Sequence, residues 1–119
     1  MEAAHDAEVL RAGPLEVRPD ESLALAGGRP LTLSVREYSL LVELARRPGR
    51  IVSRDNLYEL VWRDPLRPGD RSVDVYIHKL RSKLETALPE WRFIHTHVGF
   101  GYRFSSEPSH AFHIPATAT

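Results

Sequence analysis

An α+β fold is what this sequence predicts: a small antiparallel sheet near the N-terminus, then three helices, then a β-hairpin. Three observations predict it. Short apolar runs with partial alternation lie between residues 15 and 33, cut by Pro19-Asp20-Glu21 and Gly27-Gly28-Arg29. Apolar residues next recur at helical spacing in three segments between residues 34 and 84. Two β-rich runs then flank Gly99-Phe100-Gly101, a sequence suited to a tight reversal.

In chain order, residues 1–13 carry no sustained period and read as a linker or disordered arm. Strands are expected at 15–18, 22–26 and 30–33, because the punctuating prolines and glycines favour tight turns. Such short strands need a helix to lie on. Ser34-Val35-Arg36-Glu37 has the spacing of a capping box, in which Ser34 and Glu37 satisfy two orphan amides at a helix start. Tyr38, Leu41, Val42 and Ala45 follow on one face until Pro48-Gly49 stops the helix. Ser53 caps a second helix with Leu57, Leu60 and Val61 on one side, ending near Trp62. Pro65, Pro68 and Gly69 make residues 64–70 a loop. The third helix runs over 71–84, burying Val73, Ile77, Leu80 and Leu84 and displaying Arg71, Val75, His78, Lys79 and Ser82 on the opposite face. After Pro89, runs at 92–98 and 102–104 form the hairpin, and the polar tail 105–119 reads as disordered. One domain over 14–104 is therefore expected between two unstructured ends.

Bulk properties narrow the function. A chain of 119 residues, 42% hydrophobic, suits a single compact domain. The absence of cysteine rules out disulfides and thiolate metal sites, and with an acidic start and no membrane-length apolar run the expected compartment is the cytoplasm, with no membrane contact. Net charge is zero, which at first argues against a nucleic-acid partner. That average hides an asymmetry. Residues 1–45 carry four basic and eight acidic residues, whereas 46–103 carry twelve basic against seven acidic. A basic second half on an acidic first half is one way to build a single anion-binding face.

Three helices followed by a hairpin, with a polar and basic outer face on the third, is the order of a winged helix-turn-helix. A helix anchored by one face and bearing donors on the other fits the major groove of B-DNA, while the hairpin wing lies along the backbone. Val75, centred on an otherwise polar face, suits a thymine methyl. His78, Lys79 and Ser82 offer donors or acceptors to base edges.

The residues go further, because the chain closely resembles the OmpR/PhoB family of response-regulator effector domains over roughly residues 14–104. The resemblance rests on Leu31-Thr32-Leu33-Ser34-Val35-Arg36-Glu37-Tyr38-Ser39-Leu40-Leu41, on Val52-Ser53-Arg54-Asp55-Asn56-Leu57 with Val61-Trp62, on the run from Arg71-Ser72-Val73-Asp74-Val75 to Lys83-Leu84-Glu85, and on Gly99-Phe100-Gly101-Tyr102-Arg103-Phe104. It implies a four-stranded N-terminal sheet, one strand more than the alternation reveals, with the extra strand within residues 9–18. It also implies sequence-specific double-stranded DNA binding by a bacterial transcription regulator, the effector half of a two-component system, with the helix 71–84 in the major groove and the wing 92–104 on the backbone. An effector half separated from its receiver domain and a stand-alone regulator both fit the sequence.

By the same resemblance Arg71, Ser72, Trp62, Thr96 and Tyr102 contact phosphates; Trp62 equally suits a core. Arg81, on the flank of the helix on the same side as Asp74, suits a phosphate or a structural salt bridge at least as well as a base. Residues Arg63, Asp64, Arg67 and Asp70 occupy the loop that in the family often touches RNA polymerase; whether two copies bind DNA as a tandem dimer is left open by the sequence. Two departures matter. His78-Lys79 stands where relatives often carry two arginines, and Val98, preceded by His97, stands where many carry the arginine that enters the minor groove.

Other chemistries find little support. His95 and His97 share a strand face but lack a third ligand, Gly99-Phe100-Gly101 lacks the context of a nucleotide loop, and no nucleophile or metalloprotease motif occurs. No enzyme activity and no cofactor are expected. A winged helix docking an acidic protein is the competing reading.

Overall fold

A computed structural model of the protein describes residues 7–109. Its first unit is an antiparallel sheet of β1 (Leu10–Ala12), β2 (Leu15–Arg18), β3 (Leu23–Ala26) and β4 (Arg29–Pro30), in that spatial order. Leu15, Val17, Ala24 and Ala26 point into the core, while Glu16 on the other face meets Arg11 and Arg18. β1 is the extra strand expected within 9–18, and it occupies part of the stretch read as linker, where three residues are too few to show a period. β4 is shorter than the expected 30–33. Leu31 still donates its amide to the Ala24 carbonyl at 2.8 Å before the chain turns away into the first helix.

Helix α1 (Val35–Ala45) starts as the capping box dictates: the Glu37 amide donates to Ser34 Oγ at 3.2 Å, and the Ser34 amide to Glu37 Oε1 at 2.9 Å. Its buried face is wider than the expected stripe, adding Leu40 and Leu44. The cause is that α1 is covered on two sides, by the two helices that follow it and by the first sheet, whose Arg18 and Leu23 carbonyls lie 3.1 and 3.3 Å from the Tyr38 hydroxyl. Glu37 is itself buried, and Lys83 reaches it from the third helix at 2.7 Å.

A two-residue strand, β5 (Ile51–Val52), precedes α2 (Arg54–Trp62), which Ser53 caps through the Asn56 amide at 3.1 Å. The third helix, α3 (Ser72–Ala87), runs three residues beyond the expected end. Strands β6 (Trp91–His97) and β7 (Gly101–Pro108) then form the hairpin, and β5 joins it in the order β5-β7-β6. β5 was not foreseen, for two residues carry no alternation. A register shift between Arg92 and Ile94 turns both Phe93 and Ile94 inward.

The second hairpin also outruns expectation. Residues 105–108, read as tail, continue β7: Arg92 pairs with Glu107, Trp91 with Pro108, and the Ser109 amide donates to the Glu90 carbonyl at 2.8 Å. Their polar composition hid a strand that is held by backbone pairing. The rest of the expected tail, 110–119, and of the expected arm, 1–6, lies outside the described residues. At this end of the molecule the Trp91 ring lies against Gly13 in the first hairpin, where an added Cβ would stand 3.1 Å from the ring, and Phe93 stacks between Trp91 and Phe104.

Candidate nucleic-acid interface

α3 is anchored as its sequence requires. Val73, Ile77, Leu80 and Leu84 are all within 2% of full burial, whereas Arg71, Val75, His78, Lys79 and Ser82 are exposed. The expected inner and outer faces are thus the observed ones. Val75 is 46% exposed, an apolar side chain among donors.

Asp70 stands just before the helix, whose N-cap is Arg71. Its Oδ1 accepts the Ser72 amide at 2.8 Å, and the Ser72 hydroxyl and amide together hold its carboxyl below the usual range. Asp70, placed by resemblance in a polymerase-facing loop, thus has Ser72 at the first turn of α3 as its partner. Arg71 beside them has a side chain 79% exposed. Across the α2–α3 junction Trp62 stacks on Tyr58 with ring centroids 4.7 Å apart and meets the edge of Tyr76 at 5.7 Å. Arg36 lies 4.8 Å over Trp62 and donates to the Val61 carbonyl at 3.0 Å, and Lys79 lies 5.2 Å over Tyr76. Trp62 is half-buried in this block, and Lys79 leans back along α3 towards it. The loop that follows opens with Arg63 in the left-handed region at φ 63°, and Arg63, Asp64 and Arg67 are exposed.

The wing is fastened to α3 at two levels. Arg81 Nη1 donates to Thr96 Oγ1 at 2.7 Å and approaches the Ile94 carbonyl at 3.4 Å, with its guanidinium 5.7 Å over the Tyr102 ring. About two helical turns earlier on the same side of α3, Asp74 Oδ1 accepts the Tyr102 hydroxyl and, at 3.1 Å, Arg54 Nε from the start of α2, while Arg71 stands 3.9 Å from Oδ2. Arg81 and Asp74 thus take different partners. Burial would push the Asp74 carboxyl up, but the Tyr102 hydroxyl and the Arg54 guanidinium outweigh it and hold the group low. Burial and the adjacent Asp74 carboxylate push the Tyr102 phenol up to about 12.

Tyr102 is 6% exposed with its hydroxyl engaged by Asp74, so in this conformation it ties the wing to the helix. Thr96 is exposed and accepts from Arg81 while its own hydrogen stays available. At the tip, Val98 and Phe100 are 88% and 72% exposed on a turn closed by the Phe100 amide and the His97 carbonyl at 2.8 Å. His97 Nε2 accepts from Arg103 Nε at 2.9 Å, Arg103 pairs with Glu107 at 3.3 Å, and His95 Nε2 lies 2.9 Å from the Ser105 carbonyl oxygen. Both histidines thus have partners within the wing. Among the described residues no group of three metal-ligating side chains forms, and no helix is long and apolar enough to cross a membrane.

The expected residues of α3 and the wing come together on one side of the fold. Sequence reasoning missed Arg54 and Asp74 as a pair. They are twenty residues apart, and neither lies on an apolar stripe, so only their membership of the α2 and α3 motif blocks marked them. Two grooves flank them: one between Arg54, Asp55 and the wing tip, the other between Arg54, Arg67 and Arg71.

A family model described as "Transcriptional regulatory protein, C terminal" matches residues 28–104. The alkaline phosphatase synthesis transcriptional regulatory protein SphR of Synechococcus elongatus is 39% identical over 95 residues, which is 80% of this chain and 37% of that protein. Transcriptional regulatory protein CreB of Escherichia coli is 38% identical over 79% of this chain and 41% of its own length. The chain thus spans about two-fifths of these regulators. Among solved structures, the RstA DNA-binding domain of Klebsiella pneumoniae in complex with the RstA box has a TM-score of 0.74 at 34% identity, covering 82% of this chain and 97% of that one. The DNA-binding domain of CpxR from E. coli has a TM-score of 0.76 at 32% identity, covering 84% and 98%.

Proposed function

The chain belongs to the family of transcriptional regulatory protein C-terminal domains, of the OmpR/PhoB type, and from that premise we propose that it binds double-stranded DNA sequence-specifically, with α3 in the major groove. The observation that carries this reading is the division of α3 into a fully buried stripe and an exposed face of Val75, His78, Lys79 and Ser82, with Arg54 and Arg71 at its N-terminal end. Buried apolar contacts fix the helix, and the open face offers a methyl surface and donors to base edges.

In this reading Arg71 and Arg54 take phosphates at the start of α3, and Thr96 takes one on the wing. Lys79, inclined over Tyr76, sits where it reaches either a phosphate or a guanine edge. Trp62 contributes through the aromatic block that carries Lys79, and Arg81 and Tyr102 contribute by holding the wing. The domain comprises residues 10–109, works in the cytoplasm as the effector half of a two-component regulator, and performs no catalysis. Arg63, Asp64 and Arg67 form the surface offered to RNA polymerase, and two copies bind in tandem.

Binding-site selection from random duplexes, followed by affinity measurements across a salt series, tests the core of this. Arg71→Ala should weaken binding to all duplexes and flatten the salt dependence by about one phosphate contact, whereas Lys79→Ala should cost about 1–3 kcal/mol and relax discrimination at one position. Equal affinity for selected and random duplexes would remove the sequence-reading role. No retention of any duplex at moderate salt would favour a module docking an acidic protein, whose contact would then be the exposed Val75 and the basic face around it.

A further inference from the structure

We propose that Asp74 is the positioning residue of this interface: one carboxylate that sets the Arg54 guanidinium and the wing in a single fixed arrangement, with Arg71 close beside it. The proposal rests on the DNA-reading function above and names what gives that reading its geometry. Three elements meet at this side chain. Arg54 arrives from α2, Arg71 from the N-terminal end of α3, and the Tyr102 hydroxyl from β7. The carboxylate is only 23% exposed, whereas the Arg54 and Arg71 side chains remain 48% and 79% exposed, so Arg54 is held at its inner side and open on its outer side, and Arg71 lies nearby facing solvent.

Electrostatics alone makes an acid here unfavourable. A negative charge in the first turn of a helix that approaches a polyanion repels every duplex equally, whatever its sequence. Helix-dipole stabilisation would favour an acid in this turn, but not one shared among three elements. The compensation lies in order. A long arginine on a protein surface samples many rotamers and must lose them on docking, and a partner that fixes it beforehand removes that loss for one geometry only. Tyr102 extends the same control to the wing, because Arg81 lies over its ring while donating to Thr96, so the angle between α3 and β6–β7 is set from both ends of the phenol.

The two effects have opposite signs, and that makes the role measurable. Asp74→Asn keeps the side-chain shape and an oxygen for Tyr102 but loses the charge that holds Arg54 and attracts Arg71. Its affinity for a duplex selected by the wild-type protein should fall roughly tenfold, while affinity for a random duplex stays equal or tightens. Tyr102→Phe, which frees only the wing, should lose part of the same discrimination. Thermal melting of each variant, with all binding measured well below its midpoint, separates order from folding.

Several outcomes overturn the assignment: affinities for both duplexes rising together, which makes Asp74 a repulsive charge and no more; both falling together in step with lost stability, which makes it a structural residue; or an unchanged ratio. A wild-type protein that does not prefer its selected duplex overturns the DNA-reading function itself, which is a different failure and is seen before any variant is made.

Discussion

Gly101 has a φ of 141°, and a Cβ added there would stand 2.1 Å from the Val52 carbonyl oxygen. Both facts demand glycine, one through backbone geometry and one through the close approach of β7 to β5. Gly101→Ala should therefore cost about 3 kcal/mol or more in denaturant unfolding, because the obstacle is backbone and cannot swing aside. Gly99 provides the contrast. It too has a positive φ, 83°, but nothing lies within 4 Å of an added Cβ, so Gly99→Ala should cost only about 1 kcal/mol. Equal costs at the two positions would show that φ, and not the contact with β5, decides the first. The sequence announces both glycines as hairpin residues, but it cannot distinguish them, since the distinction depends on a strand fifty residues upstream.

Helices α1 and α3 are joined by an ion pair that shares its carboxylate with a helix cap. Glu37 completes the capping box of α1 and receives Lys83 Nζ at 2.7 Å, with only 4% of its side chain exposed. Burial pushes this carboxyl up, yet Lys83 and Ser34 together hold it below its usual value. A depressed folded pKa contributes stability that is present above the unfolded pKa, near about 4.3, and is lost as pH falls through the folded value. Lys83→Met should thus destabilise the domain by about 1–3 kcal/mol at neutral pH, with the difference from wild type shrinking as the medium is acidified below about pH 4. Urea midpoints measured from pH 3 to 7 would check this, at about unit intervals. A difference that stays constant down to the lowest pH would mean that Glu37 is not the partner that matters. At this scale the cap was legible and the tie was not. Ser34 and Glu37 sit three residues apart and speak through local geometry, while Lys83 lies forty-six residues away. For the same reason the apolar stripe of α3 could be read directly, whereas the Asp74 junction, the β5–β7 pairing and the shift of Phe93 and Ile94 onto one face required the fold.

For the molecule as a whole, the expected limits of 14 and 104 fall inside structure. β1 precedes the first limit, and four residues of β7 with the Ser109–Glu90 backbone bond follow the second. A protein trimmed to 14–104 should therefore lose on the order of 3 kcal/mol relative to one spanning 7–109, through lost β1–β2 and β6–β7 pairing and the uncovering of Trp91. Matched chemical denaturation of the two would decide, and equal midpoints would mean that these strands add nothing. The charge asymmetry, by contrast, was legible in full: the acidic first half builds β1 to β4 and all of α1, and the basic second half carries α2, α3 and the wing.

The packing of Trp91 against Gly13, beside its pairing with Pro108, brings the first hairpin and the last strand to one edge of the fold. Connectivity and contact are consequently separable in this domain. A chain reopened between residues 63 and 70 and joined across that edge by a short flexible segment would retain every pairing described above while presenting the elements in a different order of synthesis.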